Sequence, residues 1–207
     1  MVLNVMSELF LRVSFSALWI IFFGNVIIVS YSAKGSVSKK KTTRLARRLR
    51  FVAIALAVPY FFGTMLYILL PIWITSFSIP FPGWVRLVMV GVAILAELFI
   101  SWGYLSLGRN WAPSVSGVRK DTVLVTAPPY TIVRHPIYLG VFIFMIALAI
   151  LAANLFILLP TLALLALLYT SIREEEVTLI DRFGEEYLEY MRRTPRLIPK
   201  FSHKDLN

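Results

Sequence analysis

Runs of apolar residues about as long as a bilayer is thick dominate this chain, and they leave few folds open. They fall at about 9–31, 51–77, 84–107, 137–153 and 155–172. A hydrocarbon core of ~30 Å takes about 20 helical residues to cross. The chain is 58% hydrophobic with a mean hydropathy of +0.77, against roughly 45–50% apolar residues in an ordinary soluble domain. In lipid, every backbone N–H and C=O must be paired within the protein, which leaves helices or closed barrels. The expected fold is therefore an all-α integral membrane protein with about five transmembrane helices. Pro59 and Pro71 lie within the second run, where prolines are tolerated. Residues 79–83, Ile-Pro-Phe-Pro-Gly, read as a tight uncharged turn, and Ala152-Ala153-Asn154 as the turn of a helical hairpin. The two hairpin arms are short, so they are expected to tilt or to be shielded by protein. The first run is too long for a secretory leader and lacks a small-residue cleavage site, so no cleaved segment is expected.

The charges give the orientation. Net charge is +10, and the basic residues flank the apolar runs. Segment 32–50 carries 8 Lys and Arg, segment 108–136 carries 4 and the tail carries 7, which is 19 of the 21 in the chain. By the positive-inside rule these segments are cytoplasmic and the N-terminus is outside, in a cell membrane or an endoplasmic reticulum membrane. This placement of the basic residues reads as topology, and no nucleic-acid partner is expected. With no cysteine and two histidines, a disulfide, a cysteine nucleophile and a metal site are all unexpected. Arg12 and Arg86, near span ends, are expected to snorkel.

Two polar clusters fall at the same predicted face. The first is YTIVRHPIY, from Tyr130 to Tyr138. It sets Arg134 and His135 at the mouth of the fourth span, with Pro136 suited to the first helical turn. Free N–H groups at a helix start favour an anion, so this cluster suits a carboxylate or phosphate. The second is REEEVTLIDRFGEEYLEY, from Arg173 to Tyr190, leaving the fifth span. Glu174, Glu175 and Glu176 step by 100° around a helix, so at least one must face the protein or a ligand. Val177, Ile180, Phe183, Tyr187 and Tyr190 recur at helical spacing, with Gly184 as a break. This predicts a C-terminal amphipathic helical cap on the membrane face. The two clusters together point to a zwitterionic or mixed-charge ligand beside lipid. S-adenosylmethionine and a nicotinamide nucleotide both fit that description, and no GxGxxG marks a soluble dinucleotide site. Glu97, in mid-span, is either a functional group, as intramembrane charges are by default, or a hydrogen-bonded structural one.

From residue 107 to 201 the sequence resembles the isoprenylcysteine carboxyl methyltransferase family, within a group that includes phospholipid N-methyltransferases. The matching pieces are LGRNWAPSV, DTVLVTAPPYTIVRHPIYLG and REEEVTLIDRFGEEYLEYMRRTPRLIP. The resemblance implies a methyltransferase using S-adenosylmethionine, without a metal. It divides the chain into helices 1–107, with their basic loop 32–50, and a catalytic region 108–207 built around a helical hairpin 137–172. It implies cofactor contacts from Thr122, Val123, Leu124, Val125, Tyr130, His135, Pro136, Ile137, Tyr138 and Glu175. It implies catalytic roles for Arg173 and Glu175, with Arg173 meeting the substrate; Glu97 is a substrate candidate on its mid-span charge instead. Some relatives carry an arginine at the position of Ser171, a glycine at Pro128 and a serine at Ala112. The implied acceptor is lipid-like and enters from the bilayer, foremost the carboxylate of a prenylated cysteine. The alternatives are a phospholipid or small-amphiphile amine, or an NADPH-dependent membrane reductase of the sterol-reductase type.

Overall fold

The structure, a computed structural model, describes residues 2–32, 44–70, 77–110 and 123–199. The lysines of the basic loop, Pro71, Ala112, Thr122 and the tail beyond residue 199 lie outside the described residues. Among the described residues six α-helices form: α1 Val2–Ser32, α2 Arg44–Leu69, α3 Gly83–Leu107, α4 Pro136–Ala152, α5 Leu155–Phe183 and α6 Glu185–Arg193, with a 3-10 turn at Gly108–Asn110. Four of them, α1, α2, α3 and α5, are long and apolar enough to cross a membrane, and α4 is a shorter apolar helix. The protein is an all-helical, multi-pass membrane protein.

Helix lengths correct two expectations. The second span, expected to reach residue 77, ends at Leu69. Leu70 precedes Pro71, and the residue before a proline is pushed out of the helical region. The last span, expected to end near residue 172, runs 29 residues unbroken to Phe183. At 1.5 Å per residue, about 20 residues cross the ~30 Å core. Helix α5 therefore carries Glu174, Glu175 and Glu176 out of the lipid on a rigid rod. Helix α4 has only 17 residues, about 26 Å.

Protein, more than lipid, surrounds α4. Phe144, Leu148 and Leu151 are each at most 1% exposed. Phe22 of α1 stacks on Phe144 with ring centroids 4.8 Å apart. Helix α3 packs along α4, and glycines allow the approach. A Cβ on Gly140 would stand 2.5 Å from Ile100 Cγ1 and 3.4 Å from the Ala96 carbonyl; one on Gly103 would stand 2.7 Å from Ile137 Cγ1. Without a hydrophobic drive between helices in lipid, such close backbone packing is a main source of association.

The hairpin between α4 and α5 is built by two residues. Ala153 takes the left-handed conformation at φ 52° and closes α4. Asn154 caps α5, its Oδ1 accepting from Phe156 N at 2.9 Å. The segment before α3 clips on, with Ile79 N donating to the Ala153 carbonyl at 2.7 Å and Leu155 N to the Phe77 carbonyl at 3.0 Å.

Arg86 does not snorkel. It is 7% exposed, pairs with Glu8 of α1 and donates from Nε to the Leu151 carbonyl at 2.9 Å. Arg12 donates to the Ile68 carbonyl. A counter-charge and helix-end carbonyls are within reach inside the protein, so both guanidiniums turn inward.

The substitution Gly140→Val tests the α3–α4 contact. Over-packing of this kind costs about 1–3 kcal/mol, so the thermal midpoint in lipid nanodiscs should fall. An unchanged midpoint would show that the contact does not support the fold.

Candidate functional site

The site forms where three segments meet: the loop leading into α4, the protruding end of α5, and α6 with the strap after it. Pro136 starts α4 and His135 stands at its N-cap. Tyr130, Val133, Arg134 and His135 are all buried. Gly184 ends α5 at φ +56°, a backbone shape that suits glycine, and its N–H donates to the Ile180 carbonyl at 2.8 Å. The chain then turns into α6, with Glu185 and Glu186 in its first turn and Arg192 and Arg193 in its last. Those charges complement the helix dipole. The exposed pairs Arg192–Glu185 and Arg193–Glu189 add little.

The three glutamates divide by helical phase. Glu174 is exposed, Glu175 is half-buried and Glu176 is buried. Glu176 Oε1 collects Arg134 Nη2 at 2.7 Å, Arg134 Nε at 3.1 Å and His135 Nε2 at 3.3 Å. Its other oxygen accepts from Arg196. Arg134 also donates to the Met191 carbonyl at 3.2 Å and to that of Thr194. The strap after α6 is held again through main chain, with Arg134 N donating to the Pro195 carbonyl at 2.8 Å and His135 N to the Arg196 carbonyl at 3.2 Å. Arg134 is thus committed inside the protein, and the anion it binds is the Glu176 carboxylate.

Beside this knot stands a more open wall. Tyr138, in the first turn of α4, donates its hydroxyl to Glu175 Oε2 at 2.7 Å. The rings of His135 and Tyr138 meet edge to face, with centroids 5.7 Å apart. Tyr130 donates to the Gly103 carbonyl at 3.3 Å, and its own carbonyl accepts from Tyr190 at 2.7 Å. Tyr187 is 1% exposed and packs edge to face on Tyr190. Burial pushes the phenols of Tyr130, Tyr187 and Tyr190 up from the ordinary tyrosine range. The Glu175 carboxylate adds to the rise at Tyr130, and that of Glu176 at Tyr187. All three are neutral phenols at neutral pH, so their hydroxyls are hydrogen-bond donors.

The structure brings together His135, Pro136, Tyr138, Glu175 and, through Tyr190, Tyr130. Ile137 is half-buried against Gly103. Of the loop residues, Val123 is 63% exposed, with its N–H on Asn110 Oδ1 at 3.1 Å, and Leu124 and Val125 are half-buried. Thr122 lies outside the described residues. Arg173 is not brought in beside Glu175. Two residues apart on one helix, they point about 200° from each other, and the exposed Arg173 guanidinium sits 6.0 Å from the Tyr169 ring centroid.

Glu97 belongs to a separate cluster. It is 6% exposed and accepts from Asn25 Nδ2 of α1 at 2.9 Å. The same nitrogen donates to Ser101 Oγ at 2.9 Å. Glu97 Oε2 has no hydrogen-bond partner among the described residues. Glu97, Ser101 and Tyr104 share one face of α3.

The roles of Glu176, Arg196 and Tyr190 were not assigned from sequence. The signal for Glu176 was present in the 100° stepping of the three glutamates, which required one of them to face inward. For Arg196 there was none, because its partner lies 20 residues away on another element.

A family model described as the isoprenylcysteine carboxyl methyltransferase (ICMT) family matches residues 89–181. A nickel-cobalt-cadmium resistance protein from Alcaligenes xylosoxydans xylosoxydans is 29% identical over 113 residues, 55% of this chain and 53% of that protein. A protein-S-isoprenylcysteine O-methyltransferase from Xenopus laevis is 33% identical over 118 residues, 56% of this chain and 41% of that protein. The chain thus matches only about half of each relative's length. Among solved structures, the eukaryotic intramembrane Ras methyltransferase ICMT aligns with a TM-score of 0.54 at 24% identity, over 93% of this chain and 71% of that one. That likeness is one of fold.

Removing one partner of a buried ion pair typically costs about 3–5 kcal/mol. Glu176→Ala should therefore lower the thermal midpoint far more than Glu175→Ala does. Equal midpoints for the two variants would contradict the division between a buried tie and an open wall.

Proposed function

We propose, for a chain whose residues 89–181 match the model of the isoprenylcysteine carboxyl methyltransferase family, the transfer of a methyl group from S-adenosylmethionine to the carboxylate of a prenylated cysteine. The observation that carries this reading is the wall of His135, Tyr138 and Glu175 at the mouth of α4. These residues fit the cofactor. Glu175 is half-buried, with Oε2 taken by the Tyr138 hydroxyl and Oε1 as its other acceptor. Such a carboxylate oxygen suits an ammonium or a pair of ribose hydroxyls. The half-buried Ile137, Leu124 and Val125 offer apolar surface for a nucleoside, with the buried Tyr130 and Pro136 and, beside them in sequence, Val123 and Thr122.

Bound S-adenosylmethionine supplies a methyl group already activated by a sulfonium. The chain's own task is to align and to exclude water. An acceptor carboxylate is ionised at neutral pH, so no residue here has to take a proton. Alignment alone can supply several kcal/mol of a barrier. Glu175 and Tyr138, tied to each other, form a fixed rim on one side. Arg173, exposed on the same rod, is proposed as the partner of the acceptor's anion at the edge. Glu97, with an Oε2 that has no partner among the described residues, is proposed as a polar contact for the acceptor where α3 meets Asn25 of α1. The acceptor's prenyl chain reaches the site from the bilayer, since apolar helices border it. The site faces the cytoplasm in this reading, on the side of the basic segments, with the N-terminus opposite.

The test measures methyl transfer from labelled S-adenosylmethionine to N-acetyl-farnesylcysteine, to N-acetylcysteine and to phosphatidylethanolamine. Only the farnesylated compound should accept. Transfer to the phospholipid amine would replace the proposed acceptor class. Equal turnover of the unprenylated compound would refute entry from the bilayer. In the same assay Arg173→Ala should raise KM for the acceptor about tenfold, the loss of one charged hydrogen bond, and leave S-adenosylhomocysteine affinity unchanged.

A further inference from the structure

We propose that Glu176 is a positioning residue for His135. It holds the imidazole as the Nε2–H tautomer, so that Nδ1 is offered as a hydrogen-bond acceptor to a donor of the bound nucleoside, a hydroxyl or an amine. This rests on the methyltransferase reading for the identity of the nucleoside. The tautomer itself rests on geometry alone.

His135 Nε2 lies 3.3 Å from Glu176 Oε1. A carboxylate oxygen has only lone pairs to offer. An unprotonated Nε2 would set lone pair against lone pair in a site where His135 is 4% exposed. The contact therefore requires the proton on Nε2, and in a neutral ring that leaves Nδ1 bare. Glu176 cannot turn away to relieve the contact. Arg134 holds the same oxygen from two nitrogens, and Arg196 holds the other. Both residues that carry the ring and its neighbour are fixed through main chain to the strap at Pro195 and Arg196. The ring in turn packs edge to face on Tyr138, whose hydroxyl is on Glu175. A carboxylate that orients one ring nitrogen decides what the other can do, as partners behind metal-binding histidines do. Here the oriented nitrogen belongs to the same wall as the open Glu175 carboxylate. One face of the wall thus offers two kinds of acceptor, a charged oxygen and a neutral nitrogen, which suits a ligand rich in N–H and O–H groups.

The chain has two histidines, so His203→Gln leaves His135 as the sole reporter. Nitrogen NMR of that variant, labelled at histidine in nanodiscs at a pH of about 8, above the ordinary histidine range, reads the tautomer directly. The expected result is a protonated Nε2 and a bare Nδ1. A protonated Nδ1, or an imidazolium, would overturn the proposal, and this readout needs no change to the Glu176 cluster. The second arm compares His135→Asn, whose amide oxygen can stand near the Nδ1 position, with His135→Gln, whose amide reaches towards Nε2. S-adenosylhomocysteine should bind the Asn variant about tenfold more tightly than the Gln variant, the difference one hydrogen bond makes. Equal losses would refute the role of Nδ1. A parent protein that shows the expected tautomer but binds no S-adenosylhomocysteine would instead strike the methyltransferase reading, and the proposed nucleoside partner with it.

Discussion

One buried carboxylate carries the architecture of the polar end of this protein. Glu176 draws in two guanidiniums and an imidazole from two segments far apart in sequence, Arg134-His135 and Arg196. Isolated charges this deeply buried are expensive, and an ion pair repays the expense only when the remaining donors and acceptors are also satisfied. Arg134 meets that condition by spending further donors on the carbonyls of Met191 and Thr194, while Arg196 Nε has no partner among the described residues. The result is a knot that fixes the strap, the mouth of α4 and the protruding end of α5 relative to one another. The more open Tyr138–Glu175 pair is precise because it stands on that knot.

The membrane decides where the knot can be. Helix α5 is longer than the hydrocarbon core is thick, so its charged end stands in water or at the interface while its apolar stretch is in lipid. Helix α4 is shorter than the core and is largely wrapped by other helices, with glycines letting α3 approach it. The mouth of α4 and the exit of α5 therefore meet at one depth. At the opposite end the same economy of charge recurs, with Arg86 neutralised by Glu8 and capped on the Leu151 carbonyl.

Much of this was legible in the sequence, for reasons that can be stated. Apolar run length and the absence of alternatives in lipid dictated an all-helical membrane fold. Pro136, Gly184 and Ala153-Asn154 marked helix ends because each satisfies a local backbone demand. The helical phase of the glutamates required one inward-facing carboxylate, but phase alone could not say which. What could not be read was pairing at a distance. Arg134 read as a ligand-binding group because its partners are on α5 and in the strap, and Arg86 read as a snorkelling anchor because Glu8 lies on another helix. The spacing of Arg173 and Glu175 put them side by side in the chain, where a helix sends them to different faces.

The central claim is that the Glu175–Tyr138 wall, held by the Glu176 knot, binds a nucleoside methyl donor. Calorimetric titration of S-adenosylhomocysteine and, separately, NADPH into the parent protein and into Glu175→Ala tests it most directly. The account predicts binding of S-adenosylhomocysteine alone to the parent. In the variant, loss of a charge-assisted hydrogen bond of about 1.5–3 kcal/mol should weaken it roughly tenfold to a hundredfold. Binding of NADPH without S-adenosylhomocysteine, or parental affinity in Glu175→Ala, would contradict it.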